Sequence, residues 1–555
     1  MAELLLGLAT VSSGYEPETK SVHYYFGGFA QDTWKLLPKL TVTYGLRYSY
    51  ETGDVEENNL LNYIDTTSTS PINGQVASLP GEPVLPTLVG GVGIPGLNGT
   101  SRQLQQPEGL HFEPRLGLTY QVNEKTIIHT GFGIFYHPAA AWQQYPNADG
   151  AIRTSTSIDA QPNKTQPVSG YNLANPFPSG LPTPYGNSAG LGIDLGQSIA
   201  GPGRQQNIPY QINYSFDIQR ALPGSFVVTA AYAGNEGVHL MVPLYLNQIP
   251  DADLALGATL QTTPANPFYG VITDPTSTIS AKTVSYSQLL RPFPQFTGVE
   301  VLNSGVGHST YNAGQLTVEH REKNGLSEIF AYTFSKALDN VGEMTSVAGT
   351  YSGFQNVHCP RCDKSRSDQN ETHVVRWSTR YELPFGANKP FLNRGFLSPI
   401  AGGWALSGIY SLDTGRPLTV SATNYSYSFS GGAFRPNTTG ISDKTPGGSQ
   451  MKLNGQYFNP AAFSQPANYT FGNANRHLAN IDNPLAWNFD AMVEKNTHLT
   501  ERYVLTFRAE AFNALNNVTF AGPTTSIASA SFGTMASMSQ SNTPRNVQAS
   551  FRLTF

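Results

Sequence analysis

The stretch LTVTYGLRYSYE, residues 40–51, alternates along its whole length. Leu40, Val42, Tyr44, Leu46, Tyr48 and Tyr50 take one parity; Thr41, Thr43, Gly45, Arg47 and Ser49 take the other. Successive side chains of a strand point to opposite faces, so this is a β-strand with one greasy, aromatic face and one polar face. The pattern recurs. Tyr210, Ile212, Tyr214, Phe216 and Ile218 alternate with polar residues that include Asp217. Tyr503, Leu505, Phe507 and Ala509 alternate with Thr506, Arg508 and Glu510. Working outward, period-two runs predict strands at 21–36, 39–53, 111–123, 125–138, 207–222, 224–242, 309–323, 325–340, 372–386, 402–421, 485–499, 502–517 and 544–555.

The connections alternate in length. Short turns fall at residues 37–38, 123–124, 222–223, 323–324 and 499–501. Long Gly/Pro/Asn/Ser-rich loops fall at 54–110, 139–206, 243–308, 341–371, 422–484 and 518–543. The stretch 387–401 is intermediate and occupies a short-turn slot. Short, long, short, long is the pattern of an up-and-down transmembrane β-barrel, with short turns at one end and long loops at the other. In hydrocarbon every backbone N–H and C=O must be paired internally, which a closed antiparallel barrel achieves. Tyr136, Trp404 and Trp487 stand where interfacial girdles belong.

Composition narrows the field the same way. The 555 residues are 13% charged, about half the ~25% usual in soluble proteins. They include 54 Gly, 28 Tyr and 29 Phe. Apolar content of 39% excludes a wholly disordered chain, two cysteines exclude a disulfide scaffold, and a net charge of −5 leaves no basic footprint for nucleic acid. No apolar run approaches the ~18 residues of a transmembrane helix. Met1–Val11, MAELLLGLATV, reads as a buried or partial strand; Glu3 and the short apolar run argue against a signal peptide. Residues 1–20 are therefore set apart as an N-terminal stump, and 21–555 as the barrel domain. Thirteen strands begin and end in the same direction. Antiparallel closure thus needs a further strand, at about 3–12 or upstream of this chain.

Several stretches together resemble the barrel of TonB-dependent outer-membrane receptors, in their Oar-like branch. They are FAQDTWKLLPKLTVTYGLRYSYETG (29–53), FEPRLGLTYQVNEKTIIHTGFGIFY (112–136), YNAGQLTVEHREKNGLSEIFAYTFSKALDN (311–340), RYELPFG (380–386), GGWALSGIYSLDTGRPLTV (402–420), FNPAAF (458–463), LTFRAEAFNALNNVTF (505–520) and the terminal PRNVQASFRLTF. Their order is shared from about residue 4 to the end. The resemblance implies a barrel of about 22 strands plugged by an N-terminal globular domain preceded by a TonB box, with a further N-terminal sandwich in Oar-like members. None of these upstream parts is recognisable here. The chain thus looks like the C-terminal 13 or 14 strands, and coupling to the TonB complex would run through the missing plug region. The function implied is energised uptake of a large solute of siderophore, oligosaccharide or peptide class, in the bacterial outer membrane. A passive channel and a secreted glycan-binding β-protein are the alternatives.

Thirteen charged residues fall on the polar phase and are expected to face the lumen: Arg47, Arg115, Asp217, Glu319, Arg321, Arg376, Arg380, Glu382, Asp490, Glu494, Arg508, Glu510 and Arg552. Both signs alternate, which fits a solvated ladder of compensating charges better than a substrate track. On the lipid side each charge would cost about 2–4 kcal/mol at the midplane. Val547, Ala549, Phe551, Leu553 and Phe555 resemble the C-terminal signal read by the barrel-assembly machinery; an edge strand can be recognised by β-augmentation. Cys359 and Cys362 form C-x₂-C beside His358, with a local disulfide, free thiols or half a zinc site all open. Gly91, Gly93 and Gly96 match G-x-G-x-x-G but lack a strand–turn–helix context. The histidines are scattered, and no catalytic motif, cofactor site or metal set is indicated. The expected partners are outer-membrane lipid and the assembly machinery.

Overall fold

The computed structural model describes residues 11–15, 18–76, 79, 83–97, 99–107, 109, 111–137, 154–158, 174–175, 177, 180–181, 184, 186–341, 353–423, 434–500, 502–539 and 543–555. Thirteen strands form one antiparallel path in sequence order: β1 (Tyr25–Leu37), β2 (Leu40–Glu51), β3 (His111–Asn123), β4 (Thr126–Tyr136), β5 (Tyr210–Leu222), β6 (Phe226–Tyr245), β7 (Gly298–Lys323), β8 (Leu326–Asp339), β9 (His373–Glu382), β10 (Trp404–Asp413), β11 (Ala486–His498), β12 (Val504–Phe512) and β13 (Asn546–Thr554). Each strand pairs with its sequence neighbours, as an up-and-down meander requires. All thirteen predicted strands are present. At the two ends of the path, every residue of β1 and β13 is exposed, and among the described residues these two strands do not pair with each other.

The boundaries differ in instructive places. The predicted strand 402–421 stops at Asp413, because the chain leaves the sheet where Gly415 is pressed against the Asn483 backbone. The predicted strand 502–517 stops at Phe512; Asn513 and Asn516 adopt positive φ, 47° and 53°, in a turn that alternation does not register. In the other direction, β7 is 26 residues long and begins at Gly298. With β6 it forms a hairpin far longer than the ~9–11 residues a spanning strand needs. Its upper part carries register shifts around His239, whose φ is 57°. Such bulges increase local twist and turn the ribbon away from the ladder below.

The strand expected over 3–12 lies, except for Val11 and Ser12, outside the described residues. Val11–Tyr15 pairs with Thr154–Ile158 in a separate two-stranded sheet. Gly91 and Gly93 fall in another short strand, Val89–Gly93, paired with Tyr63–Thr69. There a Cβ on Gly93 would meet the Tyr63 ring at 2.4 Å, so close backbone approach accounts for that glycine.

The buried apolar cores lie largely in the long loops. Phe268, Phe296 and Phe458, the largest fully buried side chains, are all loop residues. One core joins Ile64, Val92 and Ile94 to Ile193, Ile199 and Phe296. A second joins Leu418, Val420 and Phe458 to Met535. A third joins Ile72 and Leu88 to Phe268 and Ile279. Each of these three cores draws side chains from more than one connection. Their Asn and Gln side chains satisfy the backbone that irregular structure leaves unpaired. Fully buried Asn247 donates to the carbonyls of Phe293 (3.1 Å) and Phe296 (2.7 Å) and accepts from the Phe293 N–H (2.9 Å). Gln295 donates to the carbonyl of Val89, 206 residues away, at 2.7 Å.

Candidate functional site: a polar wall beneath a packed loop layer

Residues paired directly across strands share a face, so the register can be followed from β1 to β13. Arg47 and Arg115 lie in phase across β2 and β3, through Gly45 opposite Arg115. Gly133 opposite Arg115, and Asn213 opposite Gly133, carry the phase to Asp217 on β5. Ala231 and Gln315 carry it to Glu319, with Arg321 two residues on. Ile329 opposite both Glu319 and Ser378 carries it to Arg376, Arg380 and Glu382 on β9. From there it reaches Asp490 and Glu494, then Arg508 and Glu510, then Arg552. All thirteen predicted charges therefore occupy one face of one sheet.

Pairs and small clusters organise that face. Glu494 has only 5% of its side chain exposed and sits at the centre of the largest cluster. It accepts from Arg508 Nε at 2.7 Å, Arg380 Nη2 at 3.1 Å and Asn496 Nδ2 at 3.0 Å. Arg380 also approaches Glu382 at 3.6 Å, and Lys389 donates to Glu382 at 3.3 Å. At the other end of the sheet, Glu113 lies between Arg47 (3.6 Å) and Arg115 (3.5 Å), and accepts from Ser49 at 3.0 Å. The Arg115 guanidinium stacks over the Phe135 ring at 4.8 Å. Asp217 meets His129 at 3.0 Å, Arg376 meets Asp413 at 2.7 Å, Arg321 meets Glu319 at 3.7 Å, and Glu510 accepts from Gln548 at 2.6 Å. Asp490 accepts from Asn488 and from the Asn513 N–H, both at 2.8 Å.

Sequence reasoning missed Glu113, His129, Asp413 and Lys389. Glu113 had a signal, since it stands two residues before Arg115 in the same phase. The other three are found only through register or the turn after β9.

The opposite face is aromatic and open. Tyr44 is 46% exposed, Phe216 43% and Phe551 73%. Rings neighbour one another across strands, as in Tyr48–Phe112 (5.2 Å), Tyr136–Tyr210 (5.1 Å) and Phe507–Phe551 (5.0 Å). Among the described residues no second sheet covers them, since every other sheet has two strands. An exposed apolar surface of this extent needs a non-aqueous neighbour.

Above β8–β11 the loops carry a buried polar network. Arg435 Nη2 meets Asp363 at 2.8 Å, with 7% and 6% of their side chains exposed. Arg366 Nη2 donates to Asp482 Oδ1 at 2.5 Å, and Arg476 pairs with Asp339. Burial pushes the Asp363 carboxyl up from its ordinary range, against the pull of Arg435. Burial also drives His477 down to about 4, with the charges of Arg476, Arg366 and Arg435 adding to the effect. Its Nδ1 meets Thr419 Oγ1 at 2.6 Å. Cys359 and Cys362 are joined in a disulfide across the turn that ends at Asp363. Among the described residues no group of three or more His, Cys, Asp or Glu is placed to hold a metal ion.

No curated protein matches the sequence. Solved structures do. The pyoverdine outer membrane receptor FpvA from Pseudomonas aeruginosa PAO1, bound to pyoverdine, is 11% identical with a TM-score of 0.40, over 97% of this chain and 43% of that one. The outer membrane transporter YddB from Escherichia coli is 9% identical with a TM-score of 0.41, over 96% and 54%. The siderophore receptor PiuA from Acinetobacter baumannii is 9% identical with a TM-score of 0.38, over 96% and 43%. The chain thus spans about half the length of these structures or less. A family model described as "outer membrane beta barrel domain" matches residues 1–548. With an antiparallel meander that is polar on one face and aromatic on the other, the chain belongs to the outer membrane beta barrel domain family.

Proposed function

We propose that this chain is the C-terminal barrel portion of a TonB-dependent outer-membrane receptor that imports a large solute. In this reading the aromatic face meets outer-membrane lipid and the charged face lines the passage. The observation that carries it is the single-face register of thirteen charged residues, with both signs paired on the wall. A wall of compensated charges wets a passage without trapping a solute of either sign. The loop layer would set ligand choice, and energy coupling would enter through a plug upstream of these residues. The C-terminal strand β13, exposed along its length, would be the edge read by the assembly machinery. No catalytic role is assigned to any residue.

The test is uptake in cells whose copy of the gene is deleted and then restored. Uptake of a labelled solute should be lost on deletion, regained on complementation, and lost again within minutes of collapsing the proton-motive force. Uptake that survives collapse of the force would make the protein a passive channel.

A further inference from the structure

Five of the six connections at the short-turn end are tight. The sixth, residues 383–403 between β9 and β10, is a folded 21-residue excursion. Within it Phe396 is 79% exposed, Ile400 61% and Phe391 58%, with Leu392 and Leu397 exposed beside them. It contains Lys389 and Arg394 and no acidic residue.

The C-terminal end of the excursion is tied to the sheet. Lys495 Nζ donates to the carbonyls of Pro399 (3.0 Å), Ile400 (2.9 Å) and Gly402 (2.8 Å) and lies 5.0 Å from the centre of the Trp404 ring. Trp404 Nε1 donates to Ile400 O at 3.0 Å. Gly386, at φ +98°, crosses Gly402 so closely that a Cβ would stand 2.4 Å from the Gly402 Cα. Trp404 and Lys495 are a directly paired couple, in phase with Leu406 and Val493. They therefore belong to the aromatic face, which the Pro399–Gly402 end of the turn meets, while Lys389 reaches Glu382 on the polar face.

We infer that the 383–403 turn is an interfacial anchor, seating Phe391, Phe396 and Ile400 in the phospholipid leaflet on the short-turn side. Three features favour lipid over a protein partner: continuity with the aromatic face, a Trp–Lys pair at the junction, and an exposed Arg394 in a turn that itself contains no acid. The inference rests on the membrane placement of the aromatic face. Its test therefore carries an internal reference at Phe216.

The full chain, refolded into vesicles of phosphatidylethanolamine and phosphatidylglycerol, would carry one fluorophore at Phe396→Cys, Phe216→Cys or Ile441→Cys, the last an exposed loop position. The Phe396 label should be quenched several-fold more by lipids with a shallow nitroxide than by aqueous iodide, with the order reversed at Ile441. Iodide quenching at Phe396 equal to that at Ile441 would overturn the anchor. Shielding from both quenchers would do so too, by showing a protein cover. If Phe216 is quenched by lipid in either case, only the anchor fails; if Phe216 is not, the membrane placement itself fails.

Discussion

Glu494 and Asp363 are both nearly buried acids held by arginine, and they differ in how far the sequence disclosed them. Glu494 sits on the polar phase of a long alternating run, so its face could be read. Its partners could not, because Arg380 and Arg508 meet it only through the registers of β9 to β12. Asp363 lies in a loop without periodicity, and nothing in the sequence marks it as buried. Asp363→Asn leaves Arg435 charged and buried, at a cost of about 3 kcal/mol. The expected outcome is faster proteolytic nicking of the loops flanking 363 and 435, with the heat-modifiable gel shift of the barrel retained. His477 gives a pH dependence with a definite sign. The unfolded chain takes up a proton near the ordinary value of 6.5, whereas the folded chain resists until about 4. Its contribution is intact above the upper value and is lost as the pH falls between the two, by on the order of 3 kcal/mol in all. Hydrogen exchange of the loop layer should quicken over that window in the native chain, and less so in His477→Gln.

At the scale of elements, period two was a strong signal wherever a strand has one greasy face; β1 departs from it, with Asp32 opposite Tyr44 and Phe29 opposite Arg47. It misled at strand ends. Residues 414–421 keep an alternating look after leaving the sheet, and the upper halves of β6 and β7 pair on beyond the spanning zone where glycine and serine blur the pattern. For β13 the phase makes a direct prediction. Phe551 pairs with Phe507 on the aromatic face, while Gln548 pairs with Glu510 on the polar face. Phe551→Arg and Leu553→Arg should each sharply reduce the folded, heat-modifiable species in outer membranes, since an outward arginine costs about 2–4 kcal/mol near the midplane and less near the interface. Gln548→Arg should leave assembly near normal. Equal losses in all three would mean that the faces are exchanged.

The whole molecule is inverted relative to a soluble protein. One face of its sheet is aromatic and exposed, and its buried apolar cores lie in loops that join partners up to hundreds of residues apart. The sheet was legible because lipid imposes a repeating local rule. The loop layer was not, because its apolar residues have no period and its larger cores bring together side chains from different loops. Even so, the Asn and Gln content that reads as ordinary loop composition has a structural task in pairing buried carbonyls.

The most direct measurement is a nitroxide scan through β5, residues 212–219, in outer-membrane lipid, comparing collision with oxygen and with an aqueous nickel chelate. Oxygen accessibility should peak at Ile212, Tyr214, Phe216 and Ile218. The chelate should peak at Asn213, Ser215, Asp217 and Gln219, the two profiles running in antiphase with period two. A flat profile, or a Phe216 sheltered from both reagents, would contradict the account.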